Sequence, residues 1–116
     1  MMIKDGLHTE WWDNGQKKLE VTYKDGKPEG IGTVWYENGQ KKSEVTSKDG
    51  TLDGLETHWY GNGQKKEEFT WKIGMRNGLK TSWYENGQKK LEGTYKDGEL
   101  ISQECWDEDG NEKECD

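Results

Sequence analysis

An all-β fold, a single-layer, elongated and twisted antiparallel meander of tandem 24-residue β-hairpin repeats with about ten strands, follows from three observations. The pentapeptide Asn-Gly-Gln-Lys-Lys begins at Asn14, Asn38, Asn62 and Asn86, always 24 residues apart, and a period of that size marks an array of one small folding unit. The segments on either side of each pentapeptide alternate apolar and polar residues, the two-residue period of a strand. Alanine is absent and 16 residues are Gly, so helix propensity is poor throughout.

The units open on Gly6, Gly30, Gly54 and Gly78 and cover residues 6–29, 30–53, 54–77 and 78–98. A degenerate, acidic cap follows over 99–116, in which Trp106-Asp107-Glu108-Asp109-Gly110-Asn111-Glu112-Lys113 stands in for the hairpin with one residue missing upstream. No linker interrupts the register, so residues 1–116 read as one domain.

Within each unit the first strand places Leu7, Thr9 and Trp11 on one side, matched by Ile31, Thr33, Trp35, by Leu55, Thr57, Trp59 and by Leu79, Thr81, Trp83. The second strand carries Leu19, Val21 and Tyr23 on one side and Glu20, Thr22 and Lys24 on the other. A two-residue turn at Asn38-Gly39 would set Thr33 against Glu44 and mix apolar with charged sides. A three-residue loop, Glu37-Asn38-Gly39, with the glycine in the left-handed conformation, pairs Trp35 with Lys41 and Ile31 with Val45 and predicts one apolar face. It also sets Lys17, Lys41, Lys65 and Lys89 against Trp11, Trp35, Trp59 and Trp83, a cation-π geometry, and pairs Glu10 with Lys18 and Lys80 with Glu92 on the wet face.

Asp25-Gly26, Asp49-Gly50, Ile73-Gly74 and Asp97-Gly98 turn the chain into the next unit. Ten strands at roughly 4.8 Å each span about 45 to 50 Å. No segment is left over to form a second layer, so the Trp and Tyr rings must supply most of the buried area.

The net charge of −7 is unevenly placed. Residues 1–98 hold 16 bases and 16 acids, whereas 99–116 hold eight acids and only Lys113. Nucleic acid and anionic membranes both reward positive charge, so no nucleic acid is expected as a partner and a membrane is disfavoured. The opening Met1-Met2-Ile3-Lys4 lacks the apolar run of a signal peptide, and a cytoplasmic location is expected.

Tyr84-Glu85-Asn86-Gly87-Gln88-Lys89-Lys90-Leu91-Glu92-Gly93-Thr94-Tyr95-Lys96-Asp97-Gly98 resembles the bacterial variant of the MORN repeat, found in antitoxin-like repeat proteins of the YwqK type. Four copies in register carry the resemblance over nearly the whole chain. It implies an elongated sheet of hairpins used as a binding or scaffolding surface. Ser47 and Ile73 depart from the family's usual Tyr and Asp, Gly93 occurs only in the fourth copy, and the fifth lacks the opening Gly.

No catalytic constellation is present, so no enzyme activity, cofactor or metal is expected. His8 and His58 lie in different units, about 20 Å apart by strand spacing, too far to share a metal. Cys105 and Cys115 flank the last hairpin at diagonal positions, wider than a disulfide favours; two reduced thiols are expected, with a disulfide as the alternative. Two groups remain as candidate partner-binding residues. One is the row Trp12, Tyr36, Tyr60 and Tyr84, evenly spaced along the side read as polar, which binds a protein or else covers turn glycines and packs on lysine stems. The other is the acidic set Glu104, Asp107, Glu108, Asp109, Glu112 and Glu114, a landing surface for a basic protein or a guard against edge-to-edge sheet growth. The expected function is a non-enzymatic protein-binding module, with an antitoxin or immunity protein that neutralises a basic, toxin-like partner as its specific form. An aromatic-lined array for choline or glycans, and a homo-oligomeric scaffold joined through the apolar sheet face, are the alternatives.

Overall fold

The computed structural model describes residues 5–115 as strands and turns only. The strands are β1 (Gly6–Trp11), β2 (Lys17–Lys24), β3 (Lys27–Pro28), β4 (Gly30–Trp35), β5 (Lys41–Lys48), β6 (Thr51–Leu52), β7 (Gly54–Trp59), β8 (Lys65–Lys72), β9 (Met75–Trp83), β10 (Lys89–Lys96), β11 (Glu99–Trp106) and β12 (Glu112–Lys113). All belong to one antiparallel sheet in chain order, with the two-residue β3 and β6 paired only to β2 and β5. In the third connection the corresponding short segment is fused into β9, so the sheet is ten strands across, as expected from the repeat count. It measures 49 × 36 × 17 Å. The exposed area of 7869 Å² exceeds the roughly 6,500 Å² of a compact monomer of this mass, as a single layer must.

The hairpin loops have three residues. Tyr36 N donates to Gln40 O at 2.8 Å and Gly39 N to Tyr36 O at 3.0 Å, and the same pair of bonds recurs at Trp12, Tyr60, Tyr84 and Asp107. Gly15, Gly39, Gly63, Gly87 and Gly110 hold φ between 87° and 90° at this corner, where an L side chain meets its own carbonyl. At Gly63 a Cβ would also stand 2.6 Å from the Gln40 side chain.

Beyond the loop the expected register fails. Trp35 pairs with Lys41 as foreseen, but a bulge then lets Val34 pair with Ser43 and Thr33 with Glu44, leaving Lys42 as the extra residue. The same slip separates Trp11–Lys17 from Glu10–Leu19 and Trp59–Lys65 from His58–Glu67. Ile31 consequently pairs with Thr46 rather than Val45. Glu10 faces Leu19 rather than Lys18, and Lys80 faces Gly93 rather than Glu92. One inserted residue turns the second strand over, so the two apolar sets lie on opposite faces and there is no single apolar face.

The front face carries the Leu7-Thr9-Trp11 series and, between its members, the Glu20-Thr22 series. Thr9 pairs with Glu20, Glu20 with Thr33, Thr33 with Glu44, Glu44 with Thr57, Thr57 with Glu68, Glu68 with Thr81 and Thr81 with Glu92. This alternating ladder is hydrogen-bonded from threonine hydroxyl to carboxylate at Thr9–Glu20 (3.2 Å), Thr33–Glu44 (3.4 Å) and Thr57–Glu68 (3.0 Å). Each carboxylate also takes a lysine, Lys17, Lys41, Lys65 or Lys89, at 2.8 to 2.9 Å. Thr33, Thr57 and Thr81 are buried beneath these groups. Lys17 holds the Glu20 carboxyl below the ordinary carboxylate range, with a smaller contribution from Thr9.

The back face carries Leu19, Val21, Tyr23 and their equivalents, and it is centred on Phe69, 5% exposed. Arg76, the chain's only arginine, lies over Phe69 at 4.6 Å, Tyr95 at 5.5 Å and Trp71 at 5.6 Å, so a delocalised cation fills the centre that a larger domain would give to aliphatics. Glu56 accepts from Trp71 Nε1 at 2.9 Å and bonds His58, which stacks on Phe69.

Candidate partner-binding surface

The row Trp12, Tyr36, Tyr60, Tyr84 sits at the loop end of the sheet, half-buried, one residue per unit. Each polar tip is spent on the next unit. Trp12 Nε1 donates to Trp35 O at 3.2 Å, Tyr36 Oη to Trp59 O at 2.7 Å, Tyr60 Oη to Trp83 O at 2.7 Å and Tyr84 Oη to Trp106 O at 2.8 Å. Burial, with a smaller push from Glu85 and Glu67, raises the Tyr60 phenol above its ordinary value. Lys18, Lys42, Lys66 and Lys90 lie over the four rings at 4.9 to 5.8 Å. A groove of about 450 Å³ opens between Trp12 and Tyr36, lined also by Lys18, Lys42, Val34 and Asn38. Its aromatic faces already hold ammonium groups, which leaves a quaternary ammonium ligand poorly served there.

A parallel series ties the loops together. Asn14, Asn38, Asn62 and Asn86 donate through Nδ2 to the carbonyls of Glu37, Gly61, Glu85 and Glu108, while each Oδ1 accepts from the backbone of Gln16, Gln40, Gln64 or Gln88 at 2.9 Å. The tryptophan–lysine stacking also runs between units. Lys17 covers Trp35, Lys41 covers Trp59 and Lys65 covers Trp83, at 5.6 to 5.8 Å, in place of the expected contact with each lysine's own hairpin partner. The slant of neighbouring twisted strands carries the long side chain one unit onward.

Among the acidic candidates, Glu104, Glu108, Asp109, Glu112 and Glu114 are exposed. Asp107 is turned inward, its Oδ1 accepting from Asp109 N and Asn111 N at 3.0 Å each. Those backbone donors, Asn111 foremost, keep its carboxyl below the ordinary range. Glu104, Glu112 and Glu114 line a cleft of about 510 Å³ with Gln103, Lys113 and the two cysteines. Cys105 and Cys115 form a disulfide with their Cα atoms 5.3 Å apart, against the expected free thiols. The diagonal distance closes because strand pairing ends at Cys105–Lys113 and Trp106–Glu112, releasing the chain to bend back.

The sequence reading missed one surface by placing it in the core. Leu7 (67% exposed), Ile31 (58%), Leu55 (50%) and Leu79 (54%) form an aliphatic row along the front, one per unit. The bulge is the cause, since it sets threonines rather than Val21 or Val45 beside them. The doubled Lys-Lys, one more residue than a two-residue alternation accommodates, is the signal that could have revealed it. His8 and His58 each bond a nearby glutamate, Glu10 and Glu56, and among the described residues no group of three or more His, Cys, Asp and Glu side chains is placed to hold a metal.

A hairpin repeat of this kind is matched in sequence at residues 4–25, 28–49, 52–72 and 76–97 by the MORN repeat variant. The chain belongs to that family. No curated protein matches the chain significantly. MORN repeats serve in general as non-enzymatic binding modules, and the fifth hairpin with its disulfide lies outside the four matched repeats.

Proposed function

We propose that this MORN repeat chain is a non-enzymatic protein-binding module of antitoxin or immunity type that holds a basic protein partner at its fifth unit. The carrying observation is the concentration of exposed carboxylates there, Glu104, Glu108, Asp109, Glu112 and Glu114, in a segment, 99–116, whose only base is Lys113. A field of one sign at one end of an otherwise neutral array steers a basic partner to that end. The aliphatic row running up to it supplies apolar area for the same partner. The Trp12-Tyr36-Tyr60-Tyr84 row contributes by holding adjacent units in line, so the surface is rigid before binding. A cytoplasmic setting belongs to this reading, although the disulfide is the bond of an oxidising compartment; mass measurement under non-reducing conditions on protein from cells tests that part.

The test uses the product of the neighbouring gene as the candidate partner. Isothermal titration at low and high salt, with wild-type chain and with the Glu104→Gln, Glu108→Gln, Asp109→Asn variant, is expected to show binding weakened about tenfold by either change, since an exposed charge field is screened by salt. Tight binding indifferent to both overturns the electrostatic reading. A change in tryptophan fluorescence on titration with choline or a glycan would favour the ligand-array alternative instead.

A further inference from the structure

The first three unit-to-unit junctions use the same four devices: an aromatic donor to a Trp carbonyl, an Asn donor to a loop carbonyl, a Gln side chain against a loop glycine, and a lysine over a tryptophan; the fourth repeats the first three of them. At the first unit the receiving half of this set has no counterpart among the described residues. The carbonyls of Trp11 and Asp13 occupy the places that accept at Trp35 and Glu37. Gly15 has nothing within 4 Å of where a Cβ would stand, whereas Gly39 has Gln16 at 3.1 Å and Gly63 has Gln40 at 2.6 Å. Trp11 is 58% exposed, while Trp35, Trp59 and Trp83, each under a lysine, are half-buried. Among the described residues strand β1 pairs with β2 alone, so its outer edge presents backbone donors and acceptors that no described strand takes up.

The opposite end is built differently. Asp107 and Asp109 stand where Tyr84 and Asn86 stand one unit earlier, and Glu112 replaces Lys89, so the donating half of the junction is gone. Glu92 and Glu104 face each other across β10 and β11, and further acids crowd that edge. Two C-terminal edges repel one another, and a C-terminal edge cannot supply the junction to an N-terminal one.

We propose that β1 pairs with β1 of a second copy of this chain across a two-fold axis at Thr9. An antiparallel pairing that keeps front with front must join residues of equal parity. Centred on Thr9, it sets His8 against the second copy's Glu10, and Glu10 against its His8. It sets Leu7 against the second copy's Trp11 on the front. Both apolar side chains, among the most exposed in the molecule, are thereby covered by each other, and an acid meets an imidazole twice. The two-fold is isologous and closes at two copies. A single edge strand is a small contact, and the dimer dissociates on dilution.

Sedimentation equilibrium over a range of concentrations is the test. The expected result is a reversible rise toward twice the 13.5 kDa chain mass, abolished by H8E, which opposes two glutamates across the axis, and restored by H8E combined with E10K. Both positions are exposed, so folding is preserved, and an unchanged circular dichroism spectrum checks it. A monomer at every concentration overturns the proposal, as does a dimer indifferent to H8E or one lost instead by changes at Glu104 or Ile101.

Discussion

The Tyr60 hydroxyl donates to the backbone carbonyl of Trp83, 2.7 Å away and 23 residues along the chain, and so fastens the third hairpin to the fourth. Tyr60→Phe keeps the ring and removes the bond, and is expected to cost about 1 kcal/mol, measured by urea denaturation. The wild type also carries a pH signature. Because the phenol's folded value is raised, its contribution is full below the ordinary tyrosine value and is lost as pH rises through the folded one. The difference between wild type and Tyr60→Phe should therefore shrink above about pH 10.

Ile73 has φ 47° where Asp25, Asp49 and Asp97 hold the same left-handed turn position, and its side chain is 75% exposed. A β-branched residue is strained there without compensating burial. Ile73→Asp should stabilise the protein by about 1 kcal/mol, seen as a higher Tm.

Asp107 caps the last loop with its carboxylate. Its folded value lies below the ordinary one, so the contribution is complete above the ordinary aspartate value and disappears as pH falls through the depressed one. Protection of the Asp109 and Asn111 amides, taken relative to their intrinsic exchange rates, should fall below about pH 4 before the rest of the sheet changes. In Asp107→Ala that acid-dependent step should be missing and the two amides unprotected at every pH.

Cys115→Ser opens the loop closed by the disulfide, ten residues in sequence separation, a constraint worth about 3 kcal/mol in the chain-entropy account. In an array where each unit touches only its neighbours, the loss should be local. Hydrogen exchange is expected to rise in β11 and β12 and to stay unchanged from β1 to β8.

The repeat, the strand count, the three-residue loop and the length of the sheet were all legible in the sequence, because they depend on period and on turn chemistry that Asn-Gly and Asp-Gly state locally. The face assignment was not. Alternation fixes which residues of one strand share a side, whereas the relation between two strands depends on every residue inserted between them, and the insertion of Lys42 is marked only by the doubling of the lysine. For the same reason Leu7 and Ile31 read as core and are exposed, while Thr33 and Thr57 are buried. Arg76 escaped notice because its role comes from Phe69, Trp71 and Tyr95, which only strand pairing brings around it. The bond between Cys105 and Cys115 rests on where β12 stops, and strand ends are poorly marked in sequence.

The extra lysine gives the repeated Lys-Lys a second meaning. Lys41 serves the front, on Glu44 and Trp59, and Lys42 lies over Tyr36 at the loop. Deleting one lysine from a pair therefore does more than remove a charge. It reads the rest of that strand out of phase, so that Val45 would come to the side now held by Glu44, and the hairpin would be turned inside out while its neighbours kept their orientation. A substitution at the same place leaves the phase intact, so the protein should tolerate many replacements at Lys42 and almost no deletion.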